Sequence, residues 1–255
     1  MNKYEALASK LRNREKVFGT TMQVITSPVI VEKMNVPELD FLLFDSEHGM
    51  FGFENTLPLL HVCRLMGLPS FVRVRDSQYN LIAKLVDLGA DGIMLPRTES
   101  LEQIQEAIDA LKFYPIGRKG SGGYAQMRKG EMFDSFQEEG RFFFPQIESP
   151  KGIELLPEML EKYGKYIHAV MIGPYDLSVM SGTPNETRSD IMNKNIQKIF
   201  DISNEYGKSC GIFCNDGDDA QYYRNMGANV LWTASDNQFY MRGFNETVSE
   251  INNIL

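Results

Sequence analysis

The chain has 255 residues, 43% of them hydrophobic, which is enough to bury one full-sized core. Its 34 acidic against 26 basic residues give a formal charge of -8, and this argues against nucleic acid or any other polyanionic partner, which needs a basic footprint. Three cysteines, Cys63, Cys210 and Cys214, are odd in number and lack zinc-ligand spacing, so they read as small core residues of a reducing compartment.

The chain opens on a charged segment of helical period (MNKYEALASKLRNREK). No run has the apolar length of a signal peptide or a membrane span, so the expectation is a cytoplasmic protein with no membrane partner. Residues 17–24 (VFGTTMQV) are the first apolar run, and a helix is predicted at 28–34. Then come run 41–47 (FLLFDSE) with helix 54–66, run 70–74 (SFVRV) with helix 79–88, and run 92–96 (GIMLP) with helix 100–111. The stretch 113–140 is irregular and holds a glycine and basic cluster (GRKGSGG); an insertion of that length reads as functional or mobile. Run 142–148 (FFFPQIE) precedes helix 149–163, and run 169–173 (AVMIG) precedes helix 190–206. Run 210–214 (CGIFC) with helix 218–226 and run 230–234 (VLWTA) with helix 239–254 complete the chain.

The eight runs are nearly continuous in apolar residues, as parallel strands buried on both faces must be. Gly67, Gly89, Gly207 and Gly227 stand where a left-handed residue would stop a helix and feed the next strand. The alternation predicts an α/β fold, a (β/α)8 TIM barrel spanning 1–255 as one domain, with a doubly wound sheet as the alternative.

Barrel active sites are built where strands end, so the polar residues closing each run are the candidates. Run two ends in Asp45, Ser46, Glu47, His48 and Gly49; run three carries Arg73 and Arg75. Run five ends in Gln146 and Glu148, and run six opens into Gly173, Pro174, Tyr175 and Asp176. Glu148 and Asp176, one strand apart, suit a hard divalent ion, though each could instead cap the helix that follows. His48, in a polar turn, could take a proton from a bound water or be a plain surface histidine, while His61 and His168 read as structural. Arg73 on an apolar strand needs an anion, either a substrate carboxylate or enolate, or a structural partner in Asp45 or Glu47. The glycine cluster lacks the Walker pattern, and the loops after runs seven and eight are acidic, so nucleotide and phosphosugar chemistry are disfavoured.

Taken together, FGTTMQV, DFLLFDSEHG, PSFVRV, LVDLGADGIMLPRTES, YPIGRKGSGG, PQIES, IGPYDLS, GKSCGIF and MGANVLW resemble the HpcH/HpaI aldolase family over nearly the whole chain. These are metal-dependent class II pyruvate aldolases acting on 4-hydroxy-2-oxo acids and 2-keto-3-deoxy sugar acids. The resemblance implies Glu148 and Asp176 as ligands of Mg2+ or Mn2+, possibly Co2+, with Arg73 stabilising the enolate and His48 as base. It also implies that Asp87 orients His48, a residue otherwise read only as last-turn helix, and that Gln146 neighbours the metal. The backbone of Gly173, Pro174, Tyr175 and Asp176 would cradle the pyruvate carboxylate. A homo-oligomer, commonly a hexamer exchanging its last helix, is implied as well. Two positions depart from the pattern: Thr21, where the family often has Trp, and Lys119, where it often has Arg.

The expected activity is cleavage of a 2-oxo acid to pyruvate and an aldehyde. Oxaloacetate decarboxylation, citrate lyase β-like thioester cleavage and a non-catalytic 2-oxo-acid-binding barrel stand as alternatives. An imine-forming aldolase would need a lysine inside the barrel, and no run contains one.

Overall fold

Each of the eight apolar runs forms a strand that pairs in parallel with the next: β1 (Val17–Met22), β2 (Phe41–Asp45), β3 (Ser70–Arg73), β4 (Gly92–Leu95), β5 (Phe142–Ile147), β6 (Ala169–Ile172), β7 (Ser209–Cys214) and β8 (Val230–Ser235). β8 returns to β1 through Val17 opposite Val230 and Gly19 opposite Trp232, closing the barrel. The structure is a computed structural model that describes residues 2–138 and 140–254. Strands β1 to β6 end one or two residues before their runs do, as the chain turns into the loops of the mouth, while β7 and β8 are each one residue longer than theirs.

Helix α1 (Lys3–Arg12) precedes the barrel. Around it lie α2 (Pro28–Met34), α3 (Phe53–Leu65), α4 (Tyr79–Asp87), α5 (Leu101–Leu111), α6 (Phe133–Glu138), α7 (Pro150–Tyr163), α8 (Pro174–Met180), α9 (Asp190–Glu205), α10 (Gly217–Met226) and α11 (Asp236–Asn252). Gly67, Gly89, Gly207 and Gly227 all have positive φ, between 65° and 125°, so each predicted stop is realised as a left-handed residue. Helices α6 and α8 were not predicted. Both are under two full turns, too short for a period to register in the sequence.

Two apolar cores result. The larger lies between sheet and helices and includes Val72, Ile93, Ile147 and Ile172 with Cys63, Cys210 and Cys214, all three thiols buried and free. The smaller fills the barrel interior with Phe41, Phe71, Phe142 and Phe144, and Leu7 and Leu11 of α1 plug its floor. The Phe71 ring lies 5.3, 5.2 and 4.8 Å from those of Phe41, Phe142 and Phe144, so the rings fill the interior below the mouth but for a void of about 10 Å³.

The 113–140 stretch joins α5 to β5, which places it on the floor side, away from the strand ends. Its described residues are tied down: Arg128 pairs with Asp91 at 2.9 Å, Arg141 with Glu131 at 2.9 Å, and Lys119 with Asp87. These ion pairs tie the described part of the stretch to α4 and to the residues that enter β4 and β5. Helix α11 touches the barrel through its first turns, and Tyr240, Phe244, Val248 and Ile251 form an exposed stripe along it.

Candidate active site

Side chains on a strand alternate between faces, so the interior phenylalanines reveal which polar residues must face inward at the mouth. From Phe71, two residues on is Arg73; from Phe142 and Phe144 the series continues to Gln146 and Glu148; from Phe41 and Leu43 it continues to Asp45 and Glu47. β8 contributes Trp232 by the same parity from Val230. A cavity of about 290 Å³ collects these ends, lined by Thr21, Gln23, His48, Arg73, Gln146, Gly173, Pro174, Tyr175, Asp176, Phe213 and Trp232.

Arg73 is held by a buried fork. Its Nε and Nη2 donate to the two carboxylate oxygens of Asp45 at 3.0 and 2.6 Å, and Asp45 has no exposed surface. Burial would raise the Asp45 carboxyl, but the two arginine bonds outweigh it and hold the group below the usual carboxylate range. Nη1 lies 3.4 Å from Glu47 Oε2, and the guanidinium stacks 5.5 Å above the Trp232 ring. The structural partner and the substrate-facing role are thus compatible, because the fork to Asp45 occupies one edge of the guanidinium only.

Glu148 is 3% exposed; its Oε1 accepts from the Arg97 backbone N–H at 2.6 Å and its Oε2 from Gln146 Nε2 at 2.7 Å. Burial, reinforced by the nearby charges of Asp176 and Glu47, pushes its carboxyl up to about 8 despite the Arg97 bond. Ser149, not Glu148, caps α7, and Gly173 is the N-cap of α8 with Asp176 in its first turn. A Cβ added at Gly173 would fall on Glu148 Oε2 and Gln146 Nε2, so both side chains would have to shift to admit it.

His48 sits in the turn after β2, where Asp45 Oδ1 accepts its backbone N–H at 3.2 Å; the side chain is 57% exposed and its Nε2 is 3.7 Å from Glu47 Oε2. Asp87 is elsewhere. It ends α4, and a helix after a barrel strand runs back from the mouth to the floor, where Lys119 Nζ donates to Asp87 Oδ1. Within one chain the structure therefore brings together His48, Arg73, Gln146, Gly173, Pro174, Tyr175 and Asp176, with Glu148 beside them, and leaves Asp87 at the opposite end.

Residues 24–242 match the HpcH/HpaI aldolase/citrate lyase family. The chain belongs to that family. It is 28% identical over 232 residues to a hydroxypyruvate/pyruvate aldolase of Delftia acidovorans, spanning 89% of this chain and 84% of the relative. It is 25% identical over 215 residues to a 5-keto-4-deoxy-D-glucarate aldolase of Escherichia coli, spanning 83% of each. The solved HpcH/HpaI aldolase from Desulfitobacterium hafniense superposes with a TM-score of 0.88 at 25% identity, covering 95% of each chain.

The donor set of this HpcH/HpaI chain fits a hard divalent cation. Among the described residues no cluster of three or more His, Cys, Asp or Glu side chains forms a ready ligand set, so the fit rests on two carboxylates, Glu148 and Asp176. Beside them Gln146 Oε1 is buried without a hydrogen-bond partner, an acceptor that such a cation or its waters would satisfy, and Glu47 Oε2 makes no hydrogen bond, only the ion pair with Arg73. Sequence reasoning passed over Arg97, whose backbone N–H holds Glu148 and whose Nη2 lies 3.2 Å from Glu47 Oε1. The polar residue directly after GIMLP was the available signal. Phe213 and Trp232 carried none, being apolar residues within strands.

Proposed function

We propose that this family member is a class II aldolase that reversibly cleaves a 4-hydroxy-2-oxo acid or 2-keto-3-deoxy sugar acid to pyruvate and an aldehyde. The observation that carries this is the convergence of His48, Arg73, Gln146 and the Gly173–Asp176 turn on one cavity bordered by Glu148. Mg2+ or Mn2+, possibly Co2+, held by Glu148 and Asp176, would supply Lewis-acid polarisation of the 2-oxo group.

The protein's own groups do the rest. The first-turn N–H groups of Tyr175 and Asp176, which have no intrahelical partners at a helix start, receive the substrate carboxylate. Arg73, fixed through Nε and Nη2 by Asp45, offers Nη1 to the oxygen on which enolate charge develops. Gln146 holds Glu148 in place through Nε2. His48 removes the proton from the 4-hydroxyl as the C3–C4 bond breaks, and returns it in the condensation direction. Asp87 can orient His48 only from an adjoining subunit, and the exposed apolar stripe of α11 supports a homo-oligomer. Among the described residues, no helix is long and apolar enough to cross a membrane.

The test is pyruvate release from a panel of 4-hydroxy-2-oxo acids and 2-keto-3-deoxy sugar acids, coupled to lactate dehydrogenase, with metal-stripped protein before and after adding Mg2+ or Mn2+. Metal-dependent release is expected. Turnover of oxaloacetate alone would favour the decarboxylase, and borohydride trapping of pyruvate on the protein would sink the metal mechanism. For Asp87, mixing His48→Ala and Asp87→Ala subunits should restore activity that neither has alone.

A further inference from the structure

In the polar half of the cavity, opposite the aromatic half of Tyr175, Phe213 and Trp232, one donor has two claimants. Asp45 occupies Nε and Nη2 of Arg73, which leaves Nη1 for the oxygen on which enolate charge develops. Glu47 Oε2 stands 3.4 Å from that same Nη1. A carboxylate that is only 8% exposed has little water to turn to and draws on any cation within reach, so Glu47 competes with the substrate. Yet its contact is loose beside the 2.6 and 3.0 Å bonds to Asp45. The other oxygen of Glu47 accounts for this: Oε1 lies 3.2 Å from Arg97 Nη2, so the carboxylate is shared between two guanidinium groups and closes on neither.

Arg97 is held in place for this by its backbone. Its φ is 44°, in the left-handed region that a residue other than glycine enters at a cost. Hydrogen bonds on both sides fix the turn. The Thr98 N–H donates to the Gln146 carbonyl at 3.1 Å and the Thr98 hydroxyl to the Leu95 carbonyl at 2.9 Å. The Arg97 carbonyl accepts from Gln103 Nε2 at 3.3 Å, and Gln103 is itself fixed, its Oε1 accepting from the backbone of Glu99 and Ser100 at the start of α5. In this conformation the Arg97 N–H meets Glu148 Oε1 at 2.6 Å. The main chain of Arg97 is thus tied to one acid of the site while its side chain reaches another. All of these contacts lie within one chain, at the ends of β2, β3, β4 and β5, and none is supplied by an adjoining subunit.

We propose that Arg97 is a positioning residue for the aldolase chemistry: its guanidinium holds Glu47 off Arg73 Nη1 and so leaves that donor to the enolate oxygen. This role rests on the aldolase reading of the same site. Without the guanidinium, Glu47 closes on Nη1, and a donor already bound to a carboxylate is lost to the developing charge.

The experiment follows deuterium exchange into the pyruvate methyl group by NMR, with metal-loaded protein and no aldehyde, and measures Mn2+ affinity separately by paramagnetic titration. Arg97→Gln, which removes the charge from a largely exposed side chain, is expected to slow exchange by about tenfold or more. Its Mn2+ affinity should not fall, because removing a cation beside the site removes a repulsion. In a Glu47→Gln background, where the competitor has lost its charge, adding Arg97→Gln should change the exchange rate by less than about threefold. Exchange unaltered in Arg97→Gln, exchange slowed equally in both Glu47 backgrounds, or a loss of Mn2+ affinity as large as the loss of rate overturns the role of Arg97. Wild-type protein that neither exchanges deuterium nor releases pyruvate with metal present refutes the aldolase reading itself.

Discussion

Replacing Arg73 by Met tests whether the buried fork to Asp45 works as described. Asp45 is fully buried, and burial alone would raise its carboxyl; only the two bonds from Arg73, helped by Gln23 and the His48 backbone N–H, hold it low. Removing the guanidinium leaves an uncompensated interior charge, a change that costs about 3–5 kcal/mol. In a chain of this length that corresponds to a fall in melting temperature of roughly 10 °C. The pH dependence is the sharper signature. In the wild type, Asp45 has a depressed carboxyl, so its contribution is present above the unfolded value and lost as pH falls through the folded one. In Arg73→Met the carboxyl rises above its unfolded value, so the sign reverses and stability is lost as pH increases between the two. The gap between variant and wild type should therefore be widest near pH 7.5 and narrow on acidification, by about 1.4 kcal/mol per pH unit below the variant's folded pKa. Urea unfolding at a series of pH values from 5 to 7.5 measures it. A gap below about 1 kcal/mol, or one independent of pH, would refute the claim that Arg73 compensates Asp45.

His48→Ala should lower the rate of pyruvate release by about 10²- to 10⁴-fold. Because the side chain is largely exposed, unfolding free energy should move by less than about 0.5 kcal/mol, and a large stability loss would mark His48 as structural. Gly173→Ala pushes a methyl onto Glu148 Oε2 and Gln146 Nε2, so Mn2+ affinity measured by paramagnetic titration should fall about tenfold or more; unchanged affinity would dissociate Gly173 from the metal site. Glu148, with its carboxyl raised to about 8, is mostly protonated at pH 7 before metal binds. Calorimetric Mg2+ titration in buffers of different ionisation enthalpy should then report close to one proton released at pH 7 and less at pH 9, and Glu148→Gln should abolish the release.

The eight strands were legible because a strand buried on both faces must be apolar throughout, and the helix stops because only glycine accepts a left-handed residue at little cost. Much of the candidate site was legible too. Once strands are placed, the period of two carries an interior residue such as Phe71 to Arg73, and Phe144 to Gln146 and Glu148, without further information. What the sequence could not decide was anything that depends on closure. Trp232 and Thr21 are 211 residues apart and meet only because β8 returns to β1, so the aromatic half of the cavity leaves no local trace. Nor could it rank Asp45 against Glu47 as partners of Arg73; the register of β2 on β3 sets Asp45 opposite Arg73 and gives it the two hydrogen bonds, leaving Glu47 the looser 3.4 Å ion pair. Asp87 shows the same limit from the other side. Its motif is clear in sequence, but the direction of α4 carries it to the floor of the barrel, because a helix that connects parallel strands must run back the way the strand came.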